Sequence, residues 1–402
     1  MNHPYLDPSF HIRWSQLTPD RIEPDLTAGL ARAQQNLDAL KTLRGDQLTF
    51  ENVLLGLEAA TRELGLAWGK VCHLDSVCNS PALREAHNKL LPLVTAFYTS
   101  ISLDPDLWAV IKAYAETPEA RNLIGEQGRF LEETLADFRD AGADLPPAQK
   151  QRLKDLKDEL AQLTQKFSEN VLDATNAWEL VLTDPDRLSG LPERAKAQAA
   201  DNAQKKKLGT PEQPAWRFTL HQPSMGPILQ YADDDALRKQ VWEASVGVGR
   251  TGEHDNRALI WKILSLRDEL ARILGFRHFA DYTTHRRMAK SGSAAWTFTS
   301  DLHDRTQPFF QQEAADLEAF KAQATGTPPG RLTPWEMGYW SEKQRKARYD
   351  FDKEALRPYL PMAGVLKGLY DLAQRLFGIT LIERPTVCGP ATGDQVEVWH
   401  PE

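Results

Sequence analysis

The stretch that follows Pro146 and Pro147 narrows the possible folds more than any other. Leu153, Leu156, Leu160, Leu163 and Phe167, resuming at Ala174 and Trp178, recur every three or four positions. That spacing lines them along one side of a helix with 3.6 residues per turn. The two prolines suit a first helical turn, where no backbone N–H is needed. A seam of this length must be covered, either by another helix of the same chain or by a coiled-coil partner. Helices more often bury their stripe within their own domain, so the expectation is an intramolecular hairpin.

Further helices read the same way. One starts behind Asp255, runs through Leu259, Ile263, Leu266, Leu270 and Ile273, and stops at Gly275; another carries Val365, Leu369, Leu372 and Leu376 to Gly378. Glycine just past the last periodic residue is a common helix stop. Strand signals are few: WRFTL at 216–220, ITLIE at 379–383 and VEVW at 396–399. The last alternates apolar and polar residues in the period-two pattern of a half-buried strand, yet no turn or partner strand follows it. The expected class is mainly α with minor β near the C-terminal end, in a chain that reads as cut off. Pro/Gly-rich breaks at 141–147, 184–192, 205–214, 325–334 and 385–394 mark loops or linkers, and no fixed-period repeat points to a solenoid.

Length and charge exclude several classes. A chain of 402 residues is long for one core, so more than one lobe is expected. A net charge of -8 argues against a general nucleic-acid binder, which needs a basic face. No stretch approaches the roughly 18 apolar residues of a membrane span, and MNHPYLDPSFHIRW lacks the basic and apolar regions of a signal peptide. A cytoplasmic chain is expected. Cys72, Cys78 and Cys388 show no C-x-x-C spacing, so they read as packed or surface thiols rather than a disulfide or thiolate metal site.

Short motifs are mostly defeated by their context. GVGRTG at 247–252 has the G-x-G-x-x-G form, but a helix-like LRKQVWEAS precedes it where the dinucleotide fingerprint needs a strand, so an inter-helix loop is expected. Asp233, Asp234 and Asp235 could ligate a cation, but an acidic run before a helix more simply caps it and complements its dipole. The basic stretches HRRMAK, EKQRKAR and KKK read as solvated faces and loops. No G-x-S-x-G occurs, and none of the ten histidines is followed by glutamate, so neither a serine-hydrolase elbow nor an H-E-x-x-H zinc site lies in this sequence. His278 and His285, seven apart, form only an isolated pair.

Longer segments carry a resemblance that the short motifs do not. HLDSVCNSPALREAHNKLLP (73–92), QKFSENVLDATNAWELVLTD (165–184), LRDELARILGFRHFADY (266–282), PWEMGYWSEKQRKARYDFDKEALRPYLP (334–361) and VWHPE (398–402) together resemble the thimet oligopeptidase family of zinc metallopeptidases, in order along nearly the whole chain. The resemblance implies elongated multi-helix lobes of the thimet oligopeptidase and neurolysin type around a deep, narrow channel that admits short peptides. It also implies that the sequence is truncated. Family members continue past the VWHP segment to a helix bearing H-E-F-G-H, a third glutamate ligand and residues that stabilise the tetrahedral intermediate. In the family the zinc activates the attacking water with the motif glutamate as base.

No catalytic or zinc-binding residue can therefore be carried onto this chain, and no zinc is expected bound to it. The implied organisation is an N-terminal helical lobe at 1–145, a long helix and connector at 146–225, and the start of the metallopeptidase region at 226–402. Trp335, Tyr339, Trp340 and Arg345 are the candidates for channel-facing residues, since aromatics with a guanidinium suit peptide contact. The insertion-like TVCGPATGDQ (386–395) reads as a loop. The expected partners are short peptides and the missing C-terminal catalytic portion, with no nucleic acid and no membrane. A non-catalytic helical module that binds peptides or a partner, or one half of a split peptidase, are the alternatives.

Overall fold

The computed structural model describes residues 3–10, 12–210, 212–349, 356, 358–382, 387–388 and 398–399, the last four as backbone only. Helices dominate. In chain order they are α1 (Pro19–Leu40), α2 (Gly56–Val77), α3 (Pro81–Leu103), α4 (Pro105–Ala115), α5 (Pro118–Arg121), α6 (Gly125–Asp140) and α7 (Pro147–Ala177). After the strand β1 (Glu179–Leu182) come α8 (Glu193–Lys205), β2 (Trp216–Thr219), α9 (Gln222–Tyr231), α10 (Asp235–Val246) and α11 (Arg257–Ile273). Then follow α12 (Phe279–Thr284), α13 (Gly292–Thr325), α14 (Pro334–Tyr349), α15 (Met362–Phe377), β3 (Val387–Cys388) and β4 (Val398–Trp399). No helix among the described residues is long and apolar enough to cross a membrane.

The chain divides into two compact units, one of residues 1–164, 263–282 and 382–402, the other of 165–262 and 283–381. In the first, α1 lays Ile22, Leu26 and Ala33 against Leu64, Ala67 and Val71 of α2 and Leu83 and Leu90 of α3. Each fully buried Leu or Ile contributes about 1.5–3 kcal/mol of transfer free energy. Serine at the start of α3 and aspartate at the start of α4 cap their helices: Ser80 Oγ accepts from Leu83 N, and Asp104 accepts from Asp106 N and Leu107 N. The N-terminal stretch is fastened over this bundle. Tyr5 N donates to Asp25 at 2.9 Å, and the buried Lys70 ammonium donates to the carbonyls of Tyr5 at 2.9 Å and Asp7 at 2.7 Å. A second cluster stacks Trp108 on Phe138 among Ile111, Tyr114 and Leu131.

The long seam behaves as expected over its first half. Leu153 and Leu156 are fully buried against Leu103 and against Leu266 and Leu270 of α11, so the stripe is covered by its own chain. Its far end differs from the expectation. Trp178 lies beyond Ala177, where α7 ends, and packs in the second unit beside Phe218, Leu182 and Ile228. The four residues after it form β1, a strand hidden in the sequence because ELVL continues the apolar rhythm of the helix before it. β1 pairs antiparallel with β2, Leu180 opposite Phe218 and Leu182 opposite Trp216. Helices α8, α9 and α10 supply the rest of that core through Ala199, Ile228, Leu237 and Val241.

Other expectations are corrected in detail. Residues 379–382 of ITLIE are not strand, and Glu383 lies outside the described residues. VEVW does find a partner: Val398 pairs with Cys388 and Trp399 with Val387, inside the stretch read as a loop insertion. Val396 and Glu397 lie outside the described residues. The 247–252 glycines form an inter-helix turn as expected, with Gly249 and Gly252 at φ near +68° and +67°. α11 starts one residue later than expected. Asp255 accepts from Arg257 N at 2.9 Å, while the buried Asn256 holds the turn by donating to the Phe167 carbonyl and accepting from Asn170.

Candidate functional site

All four candidate residues lie on α14, and two of them, Trp335 and Tyr339, meet the acidic run before α10. That helix begins at Pro334, whose missing N–H costs nothing in a first turn. The buried Glu336 turns back to accept from Thr333 N at 2.9 Å and Thr333 Oγ1 at 2.8 Å, and takes the Lys321 ammonium of α13 at 2.6 Å. Burial opposes the charge on Glu336, but Lys321 and Thr333 outweigh it and hold the carboxyl below its ordinary range.

Residues 335, 339 and 343 lie four apart and share one face of the helix. Trp335 Nε1 donates to Asp235 at 3.3 Å, and its ring lies 5.6 Å from that of Trp242 with the Lys239 ammonium 5.3 Å away. Tyr339 donates its hydroxyl to Asp233 at 2.8 Å, and the Arg238 guanidinium lies 4.1 Å from its ring centre. The Lys343 ammonium reaches Asp233 at 3.3 Å and sits 5.0 Å from the same ring. Cations over aromatic faces are attracted by the ring quadrupole. Trp340 and Arg345 point elsewhere. Trp340 meets Phe320 of α13 edge to face at 6.4 Å, and its buried Nε1 has no partner among the described residues. Arg345 is taken up by Glu342, with Nε donating at 3.0 Å.

The three aspartates divide their work. Asp234 caps α10, accepting from Leu237 N at 3.1 Å, and takes Arg187 at 2.8 Å. Asp233 accepts from Ser189 Oγ at 2.8 Å as well as from Tyr339 and Lys343, and Asp235 accepts from Arg238 at 2.6 Å. Capping is therefore one of three roles; the other two aspartates tie the helix start to the 189 turn and to α14. Burial would raise Asp233 and Asp234, but the donors around each carboxylate win and both are held low. Burial and the bond to Asp233 push the Tyr339 hydroxyl up. Among the described residues no three His, Cys, Asp or Glu side chains are arranged to hold a metal ion.

A cavity of about 420 Å³ opens beside this network, lined by the 190–194 turn, by Gln230 and Tyr231 at the end of α9, and by Glu342, Lys343 and Lys346 of α14. Gly190 makes it possible. At φ +83° it occupies the left-handed region, and a Cβ there would lie 2.2 Å from the Tyr231 carbonyl. Sequence reasoning missed this wall. EKQRKAR reads as a solvated face by composition, and the break at 184–192 gives no sign that it returns to a helix some 150 residues later; the four-residue spacing of 335, 339 and 343 was the available signal.

Residues 228–402 match the model for peptidase family M3, and residues 26–152 match that for the neurolysin/thimet oligopeptidase N-terminal domain. Oligopeptidase A of Escherichia coli is 33% identical over 407 aligned residues, which cover 100% of this chain and 57% of that protein. Oligopeptidase A of Haemophilus influenzae is 32% identical over 405 residues with the same coverage. Dipeptidyl carboxypeptidase of Escherichia coli is 27% identical over 399 residues, covering 99% of this chain and 57% of that protein. The chain thus spans little more than half the length of the curated relatives it matches. It belongs to the thimet oligopeptidase family, peptidase family M3, and is similar to the N-terminal part of oligopeptidase A.

Proposed function

We propose that this chain is the N-terminal portion of a zinc-dependent oligopeptidase of the cytoplasm that hydrolyses short peptides inside a narrow channel, with the metal-bearing H-E-x-x-H half lying outside these 402 residues. The observation that carries the reading is the alignment with oligopeptidase A, which spans the whole of this chain but only 57% of the relative. The family M3 match beginning at residue 228 supports a metallopeptidase region that starts near residue 226.

The residues described here do not fit the metal, so no catalytic step is assigned to them. Their part in the reaction is to form wall and scaffold. Trp335, held by Asp235, presents aromatic surface of the kind that packs against peptide side chains, while the buried Tyr339, bound to Asp233, braces the wall behind it. The exposed apolar side chains of α13 (Trp296, Phe298, Phe309) and α15 (Val365, Leu369, Leu372) are the surface on which the metal-bearing portion would pack.

The test uses the chain at verified mass. Alone, it is expected to carry no stoichiometric zinc by elemental analysis and to leave a fluorogenic peptide uncleaved. Co-expression with the remaining C-terminal part of Escherichia coli oligopeptidase A is expected to give chelator-sensitive cleavage. Cleavage by the chain alone, lost on chelation, would overturn the division of labour; failure of every co-expressed partner to associate with it would favour the non-catalytic helical module.

A further inference from the structure

We infer that the cavity between the 190–194 turn, the end of α9 and the middle of α14 is a site for a small oxyanion, a carboxylate or a phosphate. The inference rests on which charges around the cavity are already satisfied. Three cations and two carboxylates line it: Arg194, Lys343 and Lys346 against Glu193 and Glu342. Both carboxylates are engaged. Glu342 accepts from Arg345 and, at 3.1 Å, from Gln230, while Glu193 takes Lys196 at 2.9 Å. Lys343 shares Asp233 with two other donors, Tyr339 and Ser189. Arg194 has no ion-pair or hydrogen-bond partner among the described residues, and its planar fork matches an oxyanion bidentately. The unspent positive charge at the cavity is therefore that of Arg194, whose donors face no acceptor among the described residues.

Shape agrees with charge. A volume of about 420 Å³ is within the range of small-ligand sites. Tyr231 and Pro192 give it an apolar side on which the body of a ligand can rest while its anionic end meets the cations. Pro192 precedes the first turn of α8 and offers no side-chain cap, so the positive end of that 13-residue helix adds to the same field. Two sources could supply the anion: the C-terminal carboxylate of a short peptide, or free phosphate. The peptide source rests on the peptidase reading above; the cation set does not.

The experiment is a calorimetric titration of the whole chain at low ionic strength with inorganic phosphate, with trialanine, and with trialanine amide. Saturable binding of phosphate or of the free-acid peptide is expected. Trialanine binding with the amide bound about tenfold more weakly or not at all assigns the peptide terminus, and phosphate alone assigns the free anion. Arg194→Glu and Lys346→Glu change exposed side chains, so an unaltered melting curve is expected together with at least a tenfold loss of anion binding; Arg194→Lys should recover part of it. Absence of saturable binding by either anion, or equal affinity in the folded Arg194→Glu chain, would overturn the inference. Because the readout is binding and needs neither metal nor cleavage, it can fail while the peptidase reading stands, and the reverse.

Discussion

Helices α1 and α15 carry the same kind of apolar stripe and meet opposite fates. In α1, Ile22 and Leu26 are 0% exposed, and Ala33 and Leu37 follow them into the core. In α15, Val365, Leu369, Leu372 and Leu376 repeat the three-and-four spacing yet remain 48%, 55%, 49% and 65% exposed. Both helices end cleanly, α15 at Gly378 in the left-handed conformation. Local sequence is therefore enough to make the helix and its stripe, whereas covering the stripe takes a partner surface that α1 finds in α2 and α3 and α15 lacks among the described residues. An amphipathic helix states a need for a partner, and only the packing shows whether it is met.

The sharpest way to break this comparison is to shorten one side chain from each stripe. Leu26→Ala removes a fully buried side chain from a packed cluster, and such truncations cost about 2–5 kcal/mol. Leu369→Ala removes a half-exposed one and is expected to change stability by no more than about 0.5 kcal/mol. Urea unfolding of the chain at low concentration, followed by far-ultraviolet circular dichroism, measures both. Equal losses would mean that the α15 stripe is covered in solution, for instance by a second copy, and the contrast would then belong to the isolated chain alone.

What could be read in the sequence follows the range of the interactions concerned. The start of α7 and the stops of α11 and α15 were legible because proline in a first turn and glycine at a helix end act within a few residues. β1 was not, since its identity depends on pairing with β2, some 35 residues on, and its own ELVL fits either period. ITLIE erred the other way: β-branched composition without a paired neighbour does not make a strand. At the candidate site, aromatic content singled out α14 but not which of its faces meets the aspartates. With about 100° of rotation per residue, Trp340 sits on a different side from Trp335 and Tyr339, and the structure accordingly turns it to Phe320. Arg194 and Gly190 were out of reach because they meet α14 only through the fold.

A second prediction sharpens the account of why the first unit closes. Lys70 is buried, and its ammonium satisfies the carbonyls of Tyr5 and Asp7. Lys70→Met keeps much of the apolar stem but leaves both acceptors to find water, and an unsatisfied buried acceptor costs about 1–3 kcal/mol. The expected result is a lowered unfolding midpoint and faster amide exchange at residues 5–7, with α15 unchanged. An unchanged midpoint with unchanged exchange at residues 5–7 would show that the strap is held by Asp25 alone.

The smallest expected effect concerns acid, and it separates α14 from α15 within the second unit. Glu336 joins α14 to Lys321 of α13, and its carboxyl is held below the ordinary glutamate range despite burial, because Lys321 and Thr333 stabilise the charged form. A depressed folded-state pKa contributes stability that is fully present above the unfolded value, near 4.5, and that is lost as pH falls through the lower folded value. Asp233 and Asp234 are depressed in the same sense, so the attachment of α14 to α10 and to the 189 turn weakens at still lower pH, below their ordinary value near 3.8. The Lys321 and Glu336 side chains are 26% and 12% exposed, so the net worth of their pair is on the order of 1 kcal/mol. The Trp335 indole, lying on that attachment beside Trp242, gives a local reading. Its fluorescence, isolated by comparison with Trp335→Phe, should change below about pH 4.5, while Glu336→Gln should lower stability at neutral pH and flatten the acid limb. An acid limb unaltered by Glu336→Gln would transfer the pH dependence to the aspartates at the start of α10.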